Sequence, residues 1–399
     1  MKNNKQSAVR FAILEAIYWC IFASYGSYIT AFGLSRGYPQ SMVSIMVAGY
    51  MVCAFMGQFF WGSVCDKLRT NKKVFILGIV LGGLVQLGMY FFDSPIIFGI
   101  LYGTFGFLMG PMGAILETWL LKSIHYDVSL YGKSRSMGSA GYAVCILIMG
   151  RLITRFGFFI MPIISSGIIL ITLLIALRTD DSPVDNTSTV SKQKITTKDI
   201  LSILKIPDYL LVLVMMLGIG LCISPVNNLK IMVLQDVGGD VSTQGVDSFC
   251  GCIAQFAMFF MSGVLTRIPP KIRMIICSVI TFIALFIDYN ATSPWMVICA
   301  TVMLFGSYSV IFPAAREVVM TTVKYEYQTT ANGLVDAIYG SLAGTIALMF
   351  AGSIAEAYSV KFMIMITLCM SVVPIIIMIV VLARDSKSRR NCACEVQYK

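Results

Sequence analysis

Long apolar runs alternate with short polar stretches along almost the whole chain. Taking each run between charged, Pro or Gly breaks yields twelve segments, at about 11–33, 41–65, 74–92, 95–121, 134–154, 157–177, 208–232, 245–266, 272–289, 294–315, 329–353 and 360–383. Each is close to the roughly 20 residues that a helix needs to cross a hydrocarbon core, and a helix satisfies its own backbone polar groups where no water can. The pattern predicts an all-α membrane protein with twelve transmembrane helices. One long polar stretch, 178–206, divides them six and six. The expected organisation is an N-terminal six-helix bundle over 1–177, a linker over 178–206, a C-terminal six-helix bundle over 207–383 and a tail over 384–399, with the two bundles related by pseudo-symmetry. Within the linker, Thr197 is placed to cap a short amphipathic helix containing Asp199, Ile200, Leu201, Ile203 and Leu204 that would lie along the membrane surface.

Composition narrows the picture. The 399 residues are 57% hydrophobic and only 13% charged, against about a quarter charged in soluble domains, which leaves no room for a large extramembrane domain. If both termini face the cytoplasm, 25 of the 30 Lys and Arg fall on the inner side, and only Arg36, Arg151, Arg155, Lys230 and Lys361 fall outside. That asymmetry is the positive-inside signal of a protein of the cytoplasmic membrane, so the net charge of +10 reports topology and not nucleic-acid binding. The N-terminus runs into its first apolar segment without an A-x-A cleavage signature and reads as a retained span. The 12 cysteines are mostly scattered singly, and neither Cys250-x-Cys252 nor Cys392-x-Cys394 has a His or a second pair at zinc spacing. No metal site, prosthetic cofactor, nucleophile with a base or phosphate loop is expected, which argues against an enzyme.

A few polar residues stand inside the apolar runs. Glu117 is flanked by Ile115, Leu116 and Trp119, and Arg135 opens the next span on the same side of the membrane. An ionised, unpaired carboxylate is costly in hydrocarbon, so Glu117 should face a cavity or a partner, and a guanidinium beside it presents a fork suited to polyol hydroxyls. The alternative is that both side chains snorkel to the interface and position helix ends. Glu15 in span one and Asp336 in span eleven are candidates for ion coupling, since desolvation on cavity closure favours the neutral acid, or else for structural polar contacts. Arg316 and Glu317 read as a gate or helix-end pair, and His125 as a solvated turn residue. Gly99-x-x-x-Gly103, Gly106-x-x-x-Gly110, Gly138 and Gly141, and Gly340 and Gly344 read as helix-packing positions. Pro111, Pro225 and Pro313 interrupt spans and are candidate flex points.

After span two stands Gly62-Ser-Val-Cys-Asp66-Lys67-Leu-Arg69-Thr-Asn-Lys72-Lys73. It resembles the loop two to three signature of the major facilitator superfamily, in which Gly62 would allow close helix approach, Asp66 would accept from a neighbouring helix N-terminus, and Lys67 would belong to the inner basic cluster. Arg69 replaces the usual Gly. The corresponding stretch of the second half, from Ser262 to Lys271, keeps basic residues without the acid. A narrower resemblance runs from Leu116-Glu117-Thr118-Trp119 through Tyr131-Gly132-Lys133-Ser134-Arg135 to Gly141-Tyr142, which is similar to the oligosaccharide and proton symporters, the lactose permease group. That resemblance implies that Glu117 and Arg135 hold solute hydroxyls and that Tyr142 stacks on a sugar face; read from the residues alone, either Tyr142 or Trp119 could supply the stacking ring. The group's second-half proton relay is not matched: Leu304, Ser307, Asn228, Ala284 and Gly340 occupy its positions, and Gly251 and Gln255 stand near the span-eight Glu.

The expected function is secondary active transport by a monomer in the bilayer. A small hydroxylated solute, sugar or nucleoside, is taken up with a proton or other cation by alternating access. Efflux of amphipathic compounds is an alternative, for which 25 Met and 25 Phe would supply a permissive cavity, and a membrane sensor that does not transport is another.

Overall fold

The computed structural model describes residues 2–125, 127–181, 202–261, 265, 267–324 and 327–397, and these are helical with short connections. The membrane-spanning helices are α1 (Ser7–Ser35), α2 (Gln40–Leu68), α3 (Lys72–Phe91), α4 (Pro95–Ser123), α5 (Leu130–Phe156), α6 (Ile160–Arg178), α7 (Pro207–Asn228), α9 (Pro270–Tyr289), α10 (Pro294–Thr322), α11 (Thr330–Ala357) and α12 (Val360–Ala383), each long and apolar enough to cross a membrane. The twelfth, α8 (Val241–Phe260), is as long as α3 but carries a polar face. Gln244, Asp247, Ser248 and Gln255 fall at i, i+3, i+4 and i+11, so they share one side of the helix.

The two halves repeat one packing scheme. In the first, α1 packs on α5 and α6, α2 on α4, and α3 on α6; in the second, α7 packs on α11 and α12, α8 on α10, and α9 on α12. The halves meet through α2 with α11 and α5 with α8, two contacts that exchange under the same repeat. The glycine spacing explains the close approaches. Gly103, Gly106 and Gly110 set α4 against Cys53, Tyr50 and Ala54 of α2, and Gly141 sets α5 against the Ala16 carbonyl of α1. A side chain at any of these positions would hold the backbones apart. Gly344 likewise meets Met51, whereas a side chain at Gly340 would meet nothing within 4 Å.

The helix interruptions follow from the prolines. Pro111 breaks α4 between Met109 and Met112, Pro225 precedes the end of α7 and a short helix Lys230–Asp236, and Pro313 lies within α10. Each removes a backbone donor. A π-helical turn spans Ala337–Ala343 within α11.

Three expectations need correction. Helix α10 extends to Thr322, past the expected end of its span, and the last helix runs from Val360 to Gln397, so residues 384–397 of the expected tail are helical. The linker helix does not lie wholly on the surface, because Ile203 is buried in the core of the second half; Thr197, Asp199, Ile200 and Leu201 lie outside the described residues. The close approach expected at Gly62 is absent, since open space surrounds it. The loop turn, by contrast, forms without the glycine: Arg69 takes φ +51, in the left-handed region. It is held there by Thr70, whose hydroxyl donates to Asp181 at 2.6 Å, and by Lys72, whose ammonium donates to the Leu177 carbonyl at 2.9 Å. Of the second copy of this motif, Ser262, Gly263, Val264 and Thr266 lie outside the described residues.

The halves touch at the ends remote from the termini. There the Gly352 N–H donates to Ser44 at 3.2 Å, Ser44 to the Leu348 carbonyl, Thr30 to the Asn228 carbonyl at 3.3 Å, and Gln244 to the Ser27 carbonyl at 3.0 Å. Towards the face that carries the N-terminus and the linker the same helix pairs part. A cavity of about 500 Å³ opens between α2, α4 and α11, lined by Gly62, Asp66, Ile115, Lys122 and Asp336 among others.

Candidate functional site

A cavity of about 750 Å³ lies between the halves, with α1 and α5 on one wall and α8 and α10 on the other. On α5, Tyr131, Arg135, Gly138 and Tyr142 fall at i, i+4, i+7 and i+11, one helical stripe, and all four line it. On α10, Phe305, Tyr308 and Arg316 do the same, and α8 contributes Cys252, Gln255 and Phe256. The first wall is polar and charged. The second is largely aromatic.

Two residues of the polar wall, Arg135 and Tyr131, are held by Glu117 of α4. Arg135 Nε donates to Glu117 Oε1 at 2.6 Å, and the Tyr131 hydroxyl donates to Oε2 at 3.1 Å. The pair is neither buried nor fully solvated, with 29% of the Arg135 side chain and 31% of the Glu117 side chain exposed. The guanidinium lies over the Trp19 ring, 4.7 Å from its centroid, a cation–π contact that holds its plane. Trp19 in turn donates from Nε1 to Glu15 Oε2 at 3.0 Å. Glu15 is fully buried and its Oε1 has no hydrogen-bond partner. Glu15, Trp19, Arg135, Glu117 and Tyr131 thus form one chain of contacts across three helices. The expected pairing of Glu117 with Arg135 is present, and its Arg135 lines the cavity.

Gly138 makes this arrangement possible. A Cβ there would meet Trp19 Cδ1 at 2.5 Å, so only glycine leaves room for the indole against α5. Tyr142 lies one turn further along, its hydroxyl 2.9 Å from Ser27 Oγ, on the wall of the cavity as the spacing suggests. A smaller space of about 290 Å³ continues from Trp19 and Tyr142 towards Phe22, Tyr50, Tyr102 and Asn228.

Trp119 is a correction. It is fully buried, packs edge to face on Phe11 at 5.1 Å, and donates from Nε1 to the Asp180 carbonyl at 3.0 Å. Residues two apart on a helix point to opposite sides, so Glu117 and Trp119 cannot serve one cavity. The aromatic partner is Trp19, and the i, i+4 spacing from Glu15 was its signal in the sequence. Tyr131 carried the same signal relative to Arg135.

Asp336 sits on the second half at the start of the π turn, where Arg316 Nη2 reaches its Oδ2 at 3.5 Å with both side chains about half exposed. Arg316 lines the larger cavity and Asp336 the terminal-side one, so this pair stands between them. Glu317 turns the other way and pairs with buried Arg273, which separates it from Arg316 and corrects the expectation of a joint gate. Lys67 is exposed, Asp66 lines the terminal-side cavity, and His125 occupies an exposed turn with φ +53. Lys230, counted among the outer loop residues, is instead buried. Among the described residues no group of His, Cys, Asp and Glu is placed to hold a metal ion.

Comparison with known proteins bears on the whole length. The model of the MFS_1 like family matches residues 11–383. The maltose permease of Geobacillus stearothermophilus is 20% identical over 390 residues, covering 95% of this chain and 96% of its own. Among solved structures, the nucleoside transporter NupG superposes with a TM-score of 0.80 at 13% identity, over 94% of this chain and 98% of its own. A bacterial homologue of the human lysosomal transporter Spinster, in an inward-facing and unoccupied conformation, superposes with a TM-score of 0.73 at 12% identity, over 94% and 96%. At such identities the structures speak for the fold alone. The repeated six-helix halves, the cavity between them and the family match over nearly the entire chain have one common reading: this protein belongs to the MFS_1 like family and is a multi-pass membrane transporter of the major facilitator superfamily, not an enzyme.

Proposed function

We propose that the protein imports a small hydroxylated solute, a sugar or a nucleoside, together with a proton, by alternating access. One observation carries this reading: Arg135 lines the cavity between the halves with Tyr131 and Trp19, and Glu117 holds its guanidinium from α4. A carboxylate with a bound guanidinium offers acceptors and donors side by side, the complement of adjacent hydroxyls. The aromatic rings of Tyr142, Trp19, Phe305 and Tyr308 supply flat apolar surface for a sugar face or a base. The likeness to a maltose permease and to a nucleoside transporter supports the same solute classes.

Alternating access accounts for the asymmetry of the fold. With both termini in the cytoplasm, the seal at the ends remote from them and the two cavities towards the other face fit an inward-facing conformation. Rocking of the halves would close α2 on α11 and α5 on α8 at their other ends. Glu15 and Asp336 are candidate proton carriers within this frame. Glu15 communicates with the solute site through Trp19, and Asp336 with the large cavity through Arg316. The protein acts as a monomer.

The test is a thermal-stability screen of the purified protein in detergent against maltose, other sugars, uridine, other nucleosides, aromatic acids and cationic dyes, since a ligand of the folded state raises its melting temperature. Stabilisation by a sugar or nucleoside supports import of that class. Stabilisation by hydrophobic dyes alone overturns it in favour of efflux.

A further inference from the structure

A second cluster of charge lies outside the solute site. Lys230, Asp247 and Asp288 come from the short helix after α7, the start of α8 and the end of α9, and are 5%, 2% and 3% exposed. Lys230 Nζ is 4.0 Å from Asp288 Oδ2, close enough for charge attraction and too far for a hydrogen bond. Lys230 Nζ, Asp247 Oδ1 and both carboxylate oxygens of Asp288 have no hydrogen-bond partner. Such groups are costly to bury unless paired. With all three ionised, one ammonium faces two carboxylates, and one buried negative charge is left over.

The cluster has access to solvent-sized space. Lys230 and Asp247 line a polar cavity of about 180 Å³ together with Ser27, Asn227, Asn228, Gln244 and Ser248. Tyr142 and Phe305 line both this cavity and the large one, so the two spaces share a wall. Asp288 is one layer further in. The seal between the halves is built from the same residues: Asn228 accepts from Thr30, and Gln244, one turn before Asp247 on the same face, donates to Ser27.

Few other ionisable or polar groups face the cluster. From α10 there is the buried Thr301 hydroxyl, beside Asp247. On α8 itself Cys250 is near Asp247. From α12, Lys361 is turned away over the Tyr289 ring, 5.3 Å from its centroid. Helix α5 presents Tyr142 to the cavity, while its Arg151 and Arg155 are exposed.

Resting on the transport reading above, we infer that Lys230, Asp247 and Asp288 form a proton-carrying site of this transporter apart from Glu15 and Asp336, with Asp247 as the group that exchanges its proton with the polar cavity. A hydronium ion gives one proton to the Asp247 carboxylate, leaving the neutral acid and water, and the cluster becomes one ammonium against one carboxylate. The buried surplus charge is gone. Loss of the proton restores it directly beside the Asn228 and Gln244 contacts, so the protonation state biases whether the outer seal stays closed. Glu15 and Asp336 are placed differently: Glu15 is held by Trp19, and Asp336 is about half exposed beside Arg316.

The primary test needs no solute. The purified full-length protein in lipid is titrated with pH and followed by infrared difference spectroscopy, which sees the C=O stretch of a protonated carboxylic acid. The wild type shows such a band, and Asp247→Asn loses intensity from it. Retention of the full band in Asp247→Asn overturns the proposal. Should Asp247→Asn fail to fold, Asp247→Glu keeps an acid and must shift the band, and an unshifted band is equally contrary. In proteoliposomes with uridine as the probe, pH-gradient-driven accumulation by Asp247→Asn falls to the level of protein-free vesicles, and accumulation equal to wild type overturns the assignment. A wild type that neither exchanges nor accumulates uridine or maltose removes the transport reading for those solutes, while the infrared result still decides whether the cluster carries a proton.

Discussion

Arg135 Nε and Glu117 Oε1 meet at 2.6 Å across the connection between α4 and α5, and each side chain keeps about a third of its surface open. A pair this exposed adds little to stability. Its consequence is positional: the guanidinium edge not used by Glu117 and the Trp19 face beneath it remain presented to the cavity. Glu117→Gln keeps the shape and removes the charge that fixes Arg135. The expected result is unchanged melting temperature without solute, within about 0.5 kcal/mol, and loss of solute-induced stabilisation.

The two tryptophans separate site from scaffold. Trp19→Phe removes the indole donor to Glu15 and weakens the platform under Arg135, so solute affinity should fall by about tenfold, the equivalent of ~1.4 kcal/mol. Trp119→Phe should leave affinity alone and lower stability, because it deletes a buried donor that the Asp180 carbonyl accepts and part of a packed ring. Binding titrations paired with thermal melts check both.

Gly138→Ala drives a Cβ into Trp19 Cδ1. Overpacking of this kind typically costs about 1–3 kcal/mol, and relief requires the indole to move. The variant should therefore lose affinity as well as stability, which is measurable in the same two assays. Gly167→Ala in α6, where nothing lies within 4 Å, serves as the matched control.

The outer seal predicts a conformational variant. A side chain at Gly352 would collide with the Gln40 carbonyl and Ser44, so Gly352→Val should hold α2 and α11 apart at that end. A Ser248→Cys reporter, in a background whose other cysteines are replaced, should then become more reactive to a membrane-impermeant maleimide added from the outer face. Equal labelling rates with and without Gly352→Val would contradict the assignment of the closed face.

Asp240 gives that seal a pH dependence. Burial pushes its carboxyl up, but hydrogen bonds from the Thr243 N–H at 2.9 Å, the Thr243 hydroxyl at 2.6 Å and Thr154 of α5 at 3.3 Å outweigh this and hold it below the ordinary value. A carboxyl depressed in the folded state contributes its stabilisation above its unfolded pKa and loses it as pH falls through the folded one. The α8 cap and its link to α5 should be intact at neutral pH and weaken in acid, and Asp240→Asn should flatten that part of the stability profile.

Much of this was legible in the residues. The order of the helices and the Glu117–Arg135 pair follow from apolar run length and from the cost of an unpaired charge in hydrocarbon. What the linear chain hides is which side of a helix a residue takes and what the opposite half brings to it. Trp119 stands two positions from Glu117 yet points away, whereas Trp19, nearly a hundred positions off, lies under Arg135. Lys230 counts as an outer charge by position alone, and only the fold places it beside Asp247 and Asp288. Gly62 illustrates a third limit, since its role depends on conformation and the face it lines is open here.

The central claim is that the Glu117–Arg135 pair binds the solute. Isothermal titration calorimetry of the sugar or nucleoside that stabilises the wild type, repeated on Glu117→Gln and on Arg135→Lys, tests it most directly. Binding by the wild type with at least about a tenfold loss of affinity in both variants, ~1.4 kcal/mol each, is the predicted result. Equal affinity in all three proteins would contradict the account and place the solute elsewhere in the cavity.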